Sequence, residues 1–251
     1  MTAAALDFAH ELADIADAIT MGSFRALDLR VDTKPDLSPV SEADRNAEQA
    51  VRDRVRDSGR GEGVLGEEFG DDGGDVKWIV DPIDGTTSYV RGVPVWATLL
   101  ALEREGVVEL GLVSAPALGR RWWALRGEGA YANGERCRVS SIARIEDCAV
   151  TTTSARNMPD GWRTIVQRAW SNRGLGDFWQ YCLVAEGSVD IACDPVMHVW
   201  DYAPVQILVE EAGGRCTTFT GGEAEELGSF VGTNGLLHDE AVTLLGSGGG
   251  V

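Results

Sequence analysis

The segment Trp78-Ile79-Val80-Asp81-Pro82-Ile83-Asp84-Gly85-Thr86-Thr87 predicts how the rest of the chain is arranged. Its three leading apolar residues are typical of the end of a buried strand, and Pro82 is expected to stop that strand. Two carboxylates three positions apart follow, and hard divalent cations prefer oxygen ligands of this kind. Gly85 suits a tight turn, and the threonines suit the start of a helix, where amide N–H groups attract anions. The segment therefore offers metal ligands and a phosphate-binding site together, although the same residues are common in solvated turns.

Two other acidic segments favour the metal interpretation. Gly66-Glu67-Glu68 follows the apolar pair Val64-Leu65, and Trp200-Asp201 opens a helical pattern far downstream. Each acidic position stands at the end of an apolar run, as Asp81 does. The three segments together therefore predict one shared metal cluster.

Taken as a set, these segments resemble the motifs of the inositol monophosphatase family. The resemblance rests on Gly66-Glu67-Glu68, on Asp81 to Thr87, and on Trp200-Asp201-Tyr202-Ala203 with Glu211-Ala212-Gly213-Gly214, in the same order and spacing. Family members are magnesium-dependent, lithium-sensitive phosphomonoesterases. Within the family, the chain is similar to the bacterial histidinol-phosphate phosphatases in three segments: 27–40, 91–96 and 176–187. The resemblance implies an α/β fold, an αβαβα sandwich, and a homodimer that acts on a small phosphate ester.

The resemblance also implies a set of metal ligands. Glu67, Asp81 and the backbone carbonyl of Ile83 match the ligands of a first Mg²⁺. Asp81, Asp84 and Asp201 match those of a second, and a third, weaker ion near Glu67 is common in relatives. Asp84 and Asp201 would also face the substrate. Two metals roughly 4 Å apart can support an in-line displacement at phosphorus.

The remaining implied catalytic residues surround this cluster. Glu67 and the Thr86 hydroxyl would hold the attacking water, and the N–H groups of Gly85 and Thr86 would hold phosphate oxygens. Asp44 would lie beside the metals, although Ser41-Glu-Ala-Asp44 also has the form of a helix capping box. Lys34 would lie close to the site. The D-x-x-D-G-T spacing differs from the D-x-D-G-T of phosphatases with an aspartyl nucleophile, which argues against that chemistry.

Substrate selection depends on a second group of residues. Asp194 matches a carboxylate that holds a hydroxyl group in the inositol enzymes, whereas Asp177 and Phe178 stand where relatives have small polar residues. Arg173 is a further candidate, at the pocket or across a subunit interface. An acidic pocket with an aromatic wall would favour a cation such as histidinol phosphate. Each residue also has a structural interpretation: Asp177 as a helix cap, Asp194 as a turn residue and Phe178 as core.

Composition limits the class of partner. The chain has 251 residues, 44% of them hydrophobic, and a formal net charge of −18, so it should repel nucleic acid and anionic membranes. Its five cysteines form no C-x-x-C pair, which is typical of reduced thiols in the cytosol and excludes a zinc knuckle. No apolar run reaches the roughly 20 residues of a membrane span.

The pattern predicts alternating helices and strands, arranged as an N-terminal half, 1–141, and a C-terminal half, 142–251, that complete one catalytic unit. Predicted helices are 8–22, 41–57, 160–170, 178–186, 201–213 and 238–245. In the helix at 201–213, Asp201 is predicted as the N-cap and Pro204 lies in the first turn. Predicted strands are 64–66, 78–80, 95–103, 107–113, 120–126, 136–139, 148–153, 189–193, 215–219 and 227–232. A broader phosphatase for inositol, fructose or nucleotide phosphates stays open as the alternative to histidinol phosphate hydrolysis. The motif acids and Thr86 argue against a non-catalytic metal-binding protein. A glycosidase is disfavoured, because the acids cluster with a helix-start glycine and threonine as in a phosphate site.

Overall fold

Helices and sheets alternate in five layers. The computed structural model describes residues 3–27, 29–33 and 39–247. α1 (Ala3–Ser23) and α2 (Glu42–Asp57) cover one face of an eight-stranded sheet, and α5 (Asp177–Ala185) and α6 (Val199–Glu211) separate it from a five-stranded sheet. α4 (Asp160–Arg168) and α7 (His238–Gly246) pack on the far side of the second sheet. The order is an αβαβα sandwich, which confirms the fold that the resemblance implied.

The first sheet has the strand order β10-β9-β8-β7-β6-β5-β3-β4. Its strands are β3 (Gly63–Gly66), β4 (Gly70–Asp71), β5 (Val76–Asp84), β6 (Ala97–Arg104), β7 (Val107–Ala115), β8 (Arg120–Leu125), β9 (Gly129–Ala132) and β10 (Glu135–Arg136). β3 runs parallel to β5, and every other pairing in the sheet is antiparallel. The parallel pair brings the carboxyl ends of β3 and β5 to the same edge, which is where Glu67 and Asp81 stand.

The second sheet has the order β12-β11-β13-β15-β14. Its strands are β11 (Ala149–Thr151), β12 (Ser171–Arg173), β13 (Ile191–Met197), β14 (Arg215–Thr217) and β15 (Gly228–Thr233). A separate short ribbon pairs β1 (Val31–Thr33) with β2 (Pro39–Ser41), and the short helix α3 (Thr86–Val90) follows β5. β13 leads directly into α6, so the second sheet delivers Asp194 and Asp201 toward the first.

The predicted elements agree with the structure except in their extents. The antiparallel meander and its Asn133-Gly134 turn are confirmed, but the strand predicted at 136–139 is wrong, because β10 ends at Arg136. The chain then turns toward α6, and the Val139 N–H donates to the Ala212 carbonyl, 3.1 Å away. The helix predicted to reach Trp170 ends at Arg168, since Ala169 is already extended. The division into two halves at residue 142 stays a prediction.

Each helix layer is joined to its sheet by an apolar cluster. Phe8, Leu12 and Trp78 are buried between α1 and the first sheet. Trp122, Tyr181 and Phe230 belong to the cluster between the sheets, and a third cluster lies under α4 and α7. All five cysteines are buried free thiols. Among the described helices, none has the length and apolar character needed to cross a bilayer.

One polar group beside the outer cluster has a lowered pKa. His238 is buried at the start of α7, with Nε2 2.9 Å from Thr217 Oγ1 and Nδ1 3.0 Å from Thr233 Oγ1. Burial lowers the pKa of His238 to about 4. Its ring is therefore neutral at physiological pH, when one nitrogen donates and the other accepts.

Candidate metal and phosphate site

Asp81 and Asp84 belong to the last part of β5. The prediction that Pro82 stops the strand is wrong, because β5 continues through Pro82 to Asp84 with a register shift between the two acids. A bulge tolerates proline, since the missing N–H is not required in the ladder there. The Pro82 carbonyl accepts the Thr98 hydroxyl at 2.9 Å, and the Ile83 N–H donates to Asp81 Oδ1 at 2.9 Å. The bulge brings both carboxylates to one side of the strand.

Asp201 comes from the first turn of α6. The prediction that it is the N-cap is wrong: His198 is the N-cap, and the Asp201 carboxylate reaches back to accept the His198 backbone N–H at 3.0 Å. Pro204 consequently lies inside the helix rather than in its first turn. Among the described residues, carboxylate oxygens of Asp81, Asp84 and Asp201 all lie within 4.8 Å of one another. The structure therefore brings together three of the acids that the sequence singled out.

This cluster concentrates negative charge at one buried and two half-buried carboxylates. Burial raises the pKa of Asp81 well above its usual range, and the charges of Glu67, Asp84 and Asp201 raise it further. The pKa of Asp84 is raised in the same direction by burial, followed by Asp177 and Asp201. Burial raises the pKa of Asp201 to about 7. A divalent cation would offset this repulsion, and an all-oxygen donor set suits Mg²⁺.

Glu67 approaches the cluster from the turn after β3. Its backbone N–H donates to the Val80 carbonyl at 3.2 Å, just before Asp81 on β5. Its charge contributes to the raised pKa values of Asp81 and Asp201, so its carboxylate lies within electrostatic reach of both. The Glu67 segment therefore lies beside the end of β5, whereas the role of Glu67 as a metal ligand stays a prediction.

Thr86 and Asp44 adjoin the cluster on the side of α2 and α3. Thr86 Oγ1 is 3.0 Å from the Ile83 carbonyl and 3.4 Å from Asp44 Oδ1. Asp44 is buried and accepts both the N–H and the hydroxyl of Ser41, which confirms the capping box. Burial raises the pKa of Asp44 to about 6. Gly85 has φ +81°, and a Cβ there would stand 3.0 Å from the Val95 carbonyl oxygen, so this turn requires glycine.

A cavity of about 310 Å³ opens beside Asp84 and Asp201, and Asp177, Phe178 and Asp194 also line it. The Phe178 N–H donates to Asp84 Oδ2 at 2.6 Å, which ties the start of α5 to the acidic cluster. Asp177 has φ +50°, an unfavourable conformation for a residue with a side chain. Burial raises the pKa of Asp177 to about 6. Strain of this kind is typical of functional positions.

Asp194 is more fully enclosed than Asp177. Its carboxylate accepts the Thr153 N–H at 3.0 Å, the Tyr181 hydroxyl at 3.0 Å and the Gln180 amide. Burial raises its pKa to about 6. Arg173 lies elsewhere, exposed on edge strand β12, and donates to the Asn172 carbonyl; it is not among the residues that line the cavity. Lys34 lies outside the described residues.

The sequence interpretation missed a contact that holds the first turn of α6. Glu226 accepts the Val199 N–H at 2.7 Å, and its other oxygen lies 2.6 Å from His198 Nδ1. The His198 ring stacks on Trp200, with centroids 4.6 Å apart. Glu226 comes from the loop before β15, next to Leu227 with φ +57°. No local pattern marks this glutamate, because its partners lie 27 and 28 residues away.

The chain is similar in sequence and in fold to known proteins. A sequence model of the inositol monophosphatase family matches residues 2–246. The histidinol-phosphatase of Mycobacterium tuberculosis is 49% identical over 97% of this chain and 98% of its own length, and that of Streptomyces coelicolor is 46% identical over 96% of each chain. The solved structure of the Thermotoga maritima IMPase has a TM-score of 0.89 at 36% identity, covering 96% of both chains. The chain belongs to the inositol monophosphatase family.

Proposed function

We propose that the chain is a Mg²⁺-dependent phosphomonoesterase that hydrolyses histidinol phosphate to histidinol and phosphate. The observation that carries the proposal is the convergence of the Asp81, Asp84 and Asp201 carboxylates within 4.8 Å, beside a cavity that Asp177 also lines. The near-full-length similarity to proteins named histidinol-phosphatase supports the choice of substrate.

The residues at the cluster fit magnesium. Glu67, Asp81, the Ile83 carbonyl, Asp84 and Asp201 would hold two or three ions. When bound, these ions would offset the charge of the phosphoryl oxygens and make a water molecule a better nucleophile. The mutual repulsion of the carboxylates is the physical evidence for the fit, since a cation at this point removes a cost that the metal-free chain carries.

The chain's own groups would position the reactants. Glu67 and the Thr86 hydroxyl would orient the attacking water, and Asp44, 3.4 Å from that hydroxyl, would hold it in place. The N–H groups of Gly85 and Thr86 would donate to phosphate oxygens, because the positive φ of Gly85 turns the backbone at the start of α3. Each group acts through position, which raises the effective concentration of the reactants.

The cavity favours a cationic leaving group. The acids of the described lining, Asp177 and Asp194 among them, outnumber its one arginine, Arg156, and Phe178 and Met197 contribute apolar side chains. Histidinol phosphate carries an amine and an imidazole, which this lining would attract. Because protein donors already occupy the Asp194 carboxylate, we assign the direct contact with the amine to Asp177.

Inositol phosphate is the second candidate substrate. A relative from Thermotoga maritima, 38% identical over 82% of this chain, is named a fructose-1,6-bisphosphatase/inositol-1-monophosphatase. We further propose a homodimer, as the resemblance implies, with Arg173 near the subunit interface. The unpaired spacing of the cysteines supports a cytoplasmic location. Sedimentation analysis of the chain and of Arg173→Ala tests the assembly.

A panel assay tests the substrate. Phosphate release from histidinol phosphate, inositol 1-phosphate, fructose bisphosphate and a nucleotide 3′-phosphate is measured with Mg²⁺ and with EDTA. We expect histidinol phosphate to have the highest kcat/KM and to require Mg²⁺. Asp177→Asn should lower that kcat/KM about tenfold, equivalent to about 1.4 kcal/mol, and leave inositol phosphate unaffected. Asp160→Asn, which removes an exposed charge at the start of α4, is the control. Equal or faster turnover of inositol phosphate would contradict the proposal.

A further inference from the structure

α2 turns three charged side chains inward at one-turn spacing. Asp44, Glu48 and Arg52 have exposed fractions of 1%, 0% and 8%. Buried charges are costly unless they are paired and hydrogen-bonded, and an apolar face would stabilise the helix at least as well. Asp44 is accounted for by its contacts with Ser41 and Thr86. Glu48 and Arg52 have no part in the chemistry described so far.

The Glu48 carboxylate is held by donors from two sources. One oxygen accepts the Glu68 N–H at 2.7 Å, and the other accepts the Phe69 N–H at 3.1 Å. Arg52 Nε donates to the same carboxylate at 2.8 Å and neutralises it. Arg52 also donates to the Gly70 carbonyl and pairs with Asp72 at 2.8 Å. The two side chains therefore hold the turn between β3 and β4 by its backbone.

Gly66 provides the space that this contact needs. A Cβ at residue 66 would lie 2.1 Å from Glu48 Oε1 and 2.3 Å from its Cδ, distances that no real contact allows. The Glu48 carboxylate therefore packs directly against the backbone just before Glu67. Residue 66 must therefore be glycine, because a side chain there would collide with Glu48 of α2.

We propose that Glu48 is a positioning residue for Glu67. The backbone of Glu67 is fixed on both sides: its own N–H donates to the Val80 carbonyl, and the next two N–H groups donate to Glu48. Because the turn is already ordered, the Glu67 carboxylate can bind a cation without a further loss of conformational entropy in the backbone. This inference rests on the proposed function, in which Glu67 is a metal ligand.

Metal binding without substrate tests the proposal. Mn²⁺ affinity is measured by electron paramagnetic resonance for the wild type, Glu48→Gln, Glu48→Asp and Gly66→Ala, alongside thermal unfolding and the Mg²⁺ dependence of phosphate release. We expect each variant that folds to weaken Mn²⁺ binding about tenfold, the range typical of groups that orient metal ligands. The Mg²⁺ concentration for half-maximal rate should rise in parallel, and kcat at saturating Mg²⁺ should fall less. Gly66→Ala keeps every charge and displaces the carboxylate only by steric contact.

The control is Glu62→Gln, at the other end of β3. Glu62 accepts the Trp78 indole N–H at 2.7 Å and precedes β3, whereas the turn that Glu48 holds follows it. The Glu62→Gln substitution should lower thermal stability without changing Mn²⁺ affinity. Wild-type Mn²⁺ affinity in Glu48→Asp or Gly66→Ala would overturn the positioning role and leave the proposed function intact. Failure of all three variants to fold would also overturn it, because the role of Glu48 would then be purely structural. A wild-type chain that binds no Mn²⁺ would instead overturn the proposed function, and this inference with it.

Discussion

The substitution Asp84→Asn should stabilise the metal-free chain while it abolishes turnover. Its carboxylate lies within 4.8 Å of those of Asp81 and Asp201. At that separation, and with an effective dielectric constant of about 20, two unit charges repel each other by about 3 kcal/mol. Asparagine keeps the volume, and its amide oxygen can still accept the Phe178 N–H. The variant therefore removes repulsion and preserves packing.

The pH dependence follows from the direction of the pKa shift. The folded-state pKa of Asp84 is raised, so its contribution to stability is full below the unfolded pKa, near 4, and is lost as pH rises through the folded pKa. The cost of ionising Asp84 is therefore largest in alkaline, metal-free buffer. There we expect Asp84→Asn to gain about 2 to 4 kcal/mol over the wild type, a rise in Tm of roughly 5 to 10 °C.

Thermal unfolding in EDTA and in Mg²⁺, at pH 6 and pH 8.5, measures this effect. The order should reverse in Mg²⁺, because the wild type gains binding free energy that the variant has lost. Asp190→Asn is the matched control: Asp190 is also buried, but its carboxylate accepts the Ala149 N–H at 2.7 Å, away from the cluster, so its loss should destabilise in both buffers. A wild type as stable as Asp84→Asn in EDTA at pH 8.5 would refute the electrostatic argument.

Three further predictions concern single residues. Gly85→Ala places a Cβ 3.0 Å from the Val95 oxygen at φ +81°, so it should cost about 1 to 3 kcal/mol in urea unfolding and raise KM; unchanged stability would contradict the strain argument. Thr86→Val should lower kcat at least about a hundredfold in steady-state assays, since a residue that orients water acts in the transition state. A higher KM with unchanged kcat would argue against this role. The pKa of His238 is lowered to about 4, so the neutral ring contributes stability that is complete above pH 6.5 and is lost as pH falls toward 4. In urea titrations, the free energy of unfolding of His238→Gln should therefore fall less between pH 7 and pH 4.5 than that of the wild type, by up to about 3 kcal/mol. Parallel loss of stability in both proteins between pH 7 and pH 4.5 would contradict the assignment to His238.

The sequence predicted the parts of the site that short segments encode. Asp81 and Asp84 follow an apolar strand, and Ser41 with Asp44 forms a capping box, so strand, helix and their order could be inferred from local pattern. Pro82 misled the strand assignment, because a bulge accepts proline where a regular ladder does not.

Contacts between distant segments could not be inferred in this way. Aspartate is common at N-cap positions, so local pattern predicts Asp201 as the N-cap, yet Asp201 is the third helical residue and its side chain accepts the N–H of the N-cap, His198. Glu48 and Glu226 have ordinary helix and loop surroundings in the sequence. Their roles depend on backbone groups 20 or more residues away, which only the folded chain brings within hydrogen-bond distance.

Anomalous diffraction from crystals soaked in Mn²⁺ tests the central claim most directly. The claim is that acids from three distant segments, Glu67, the Asp81/Asp84 pair and Asp201, form one divalent-cation site. We expect anomalous peaks among these carboxylates, and we expect the peak beside residue 84 to be absent from crystals of Asp84→Asn. Wild-type crystals with no peak between Asp81 and Asp201, at Mn²⁺ concentrations that support phosphate release, would contradict it.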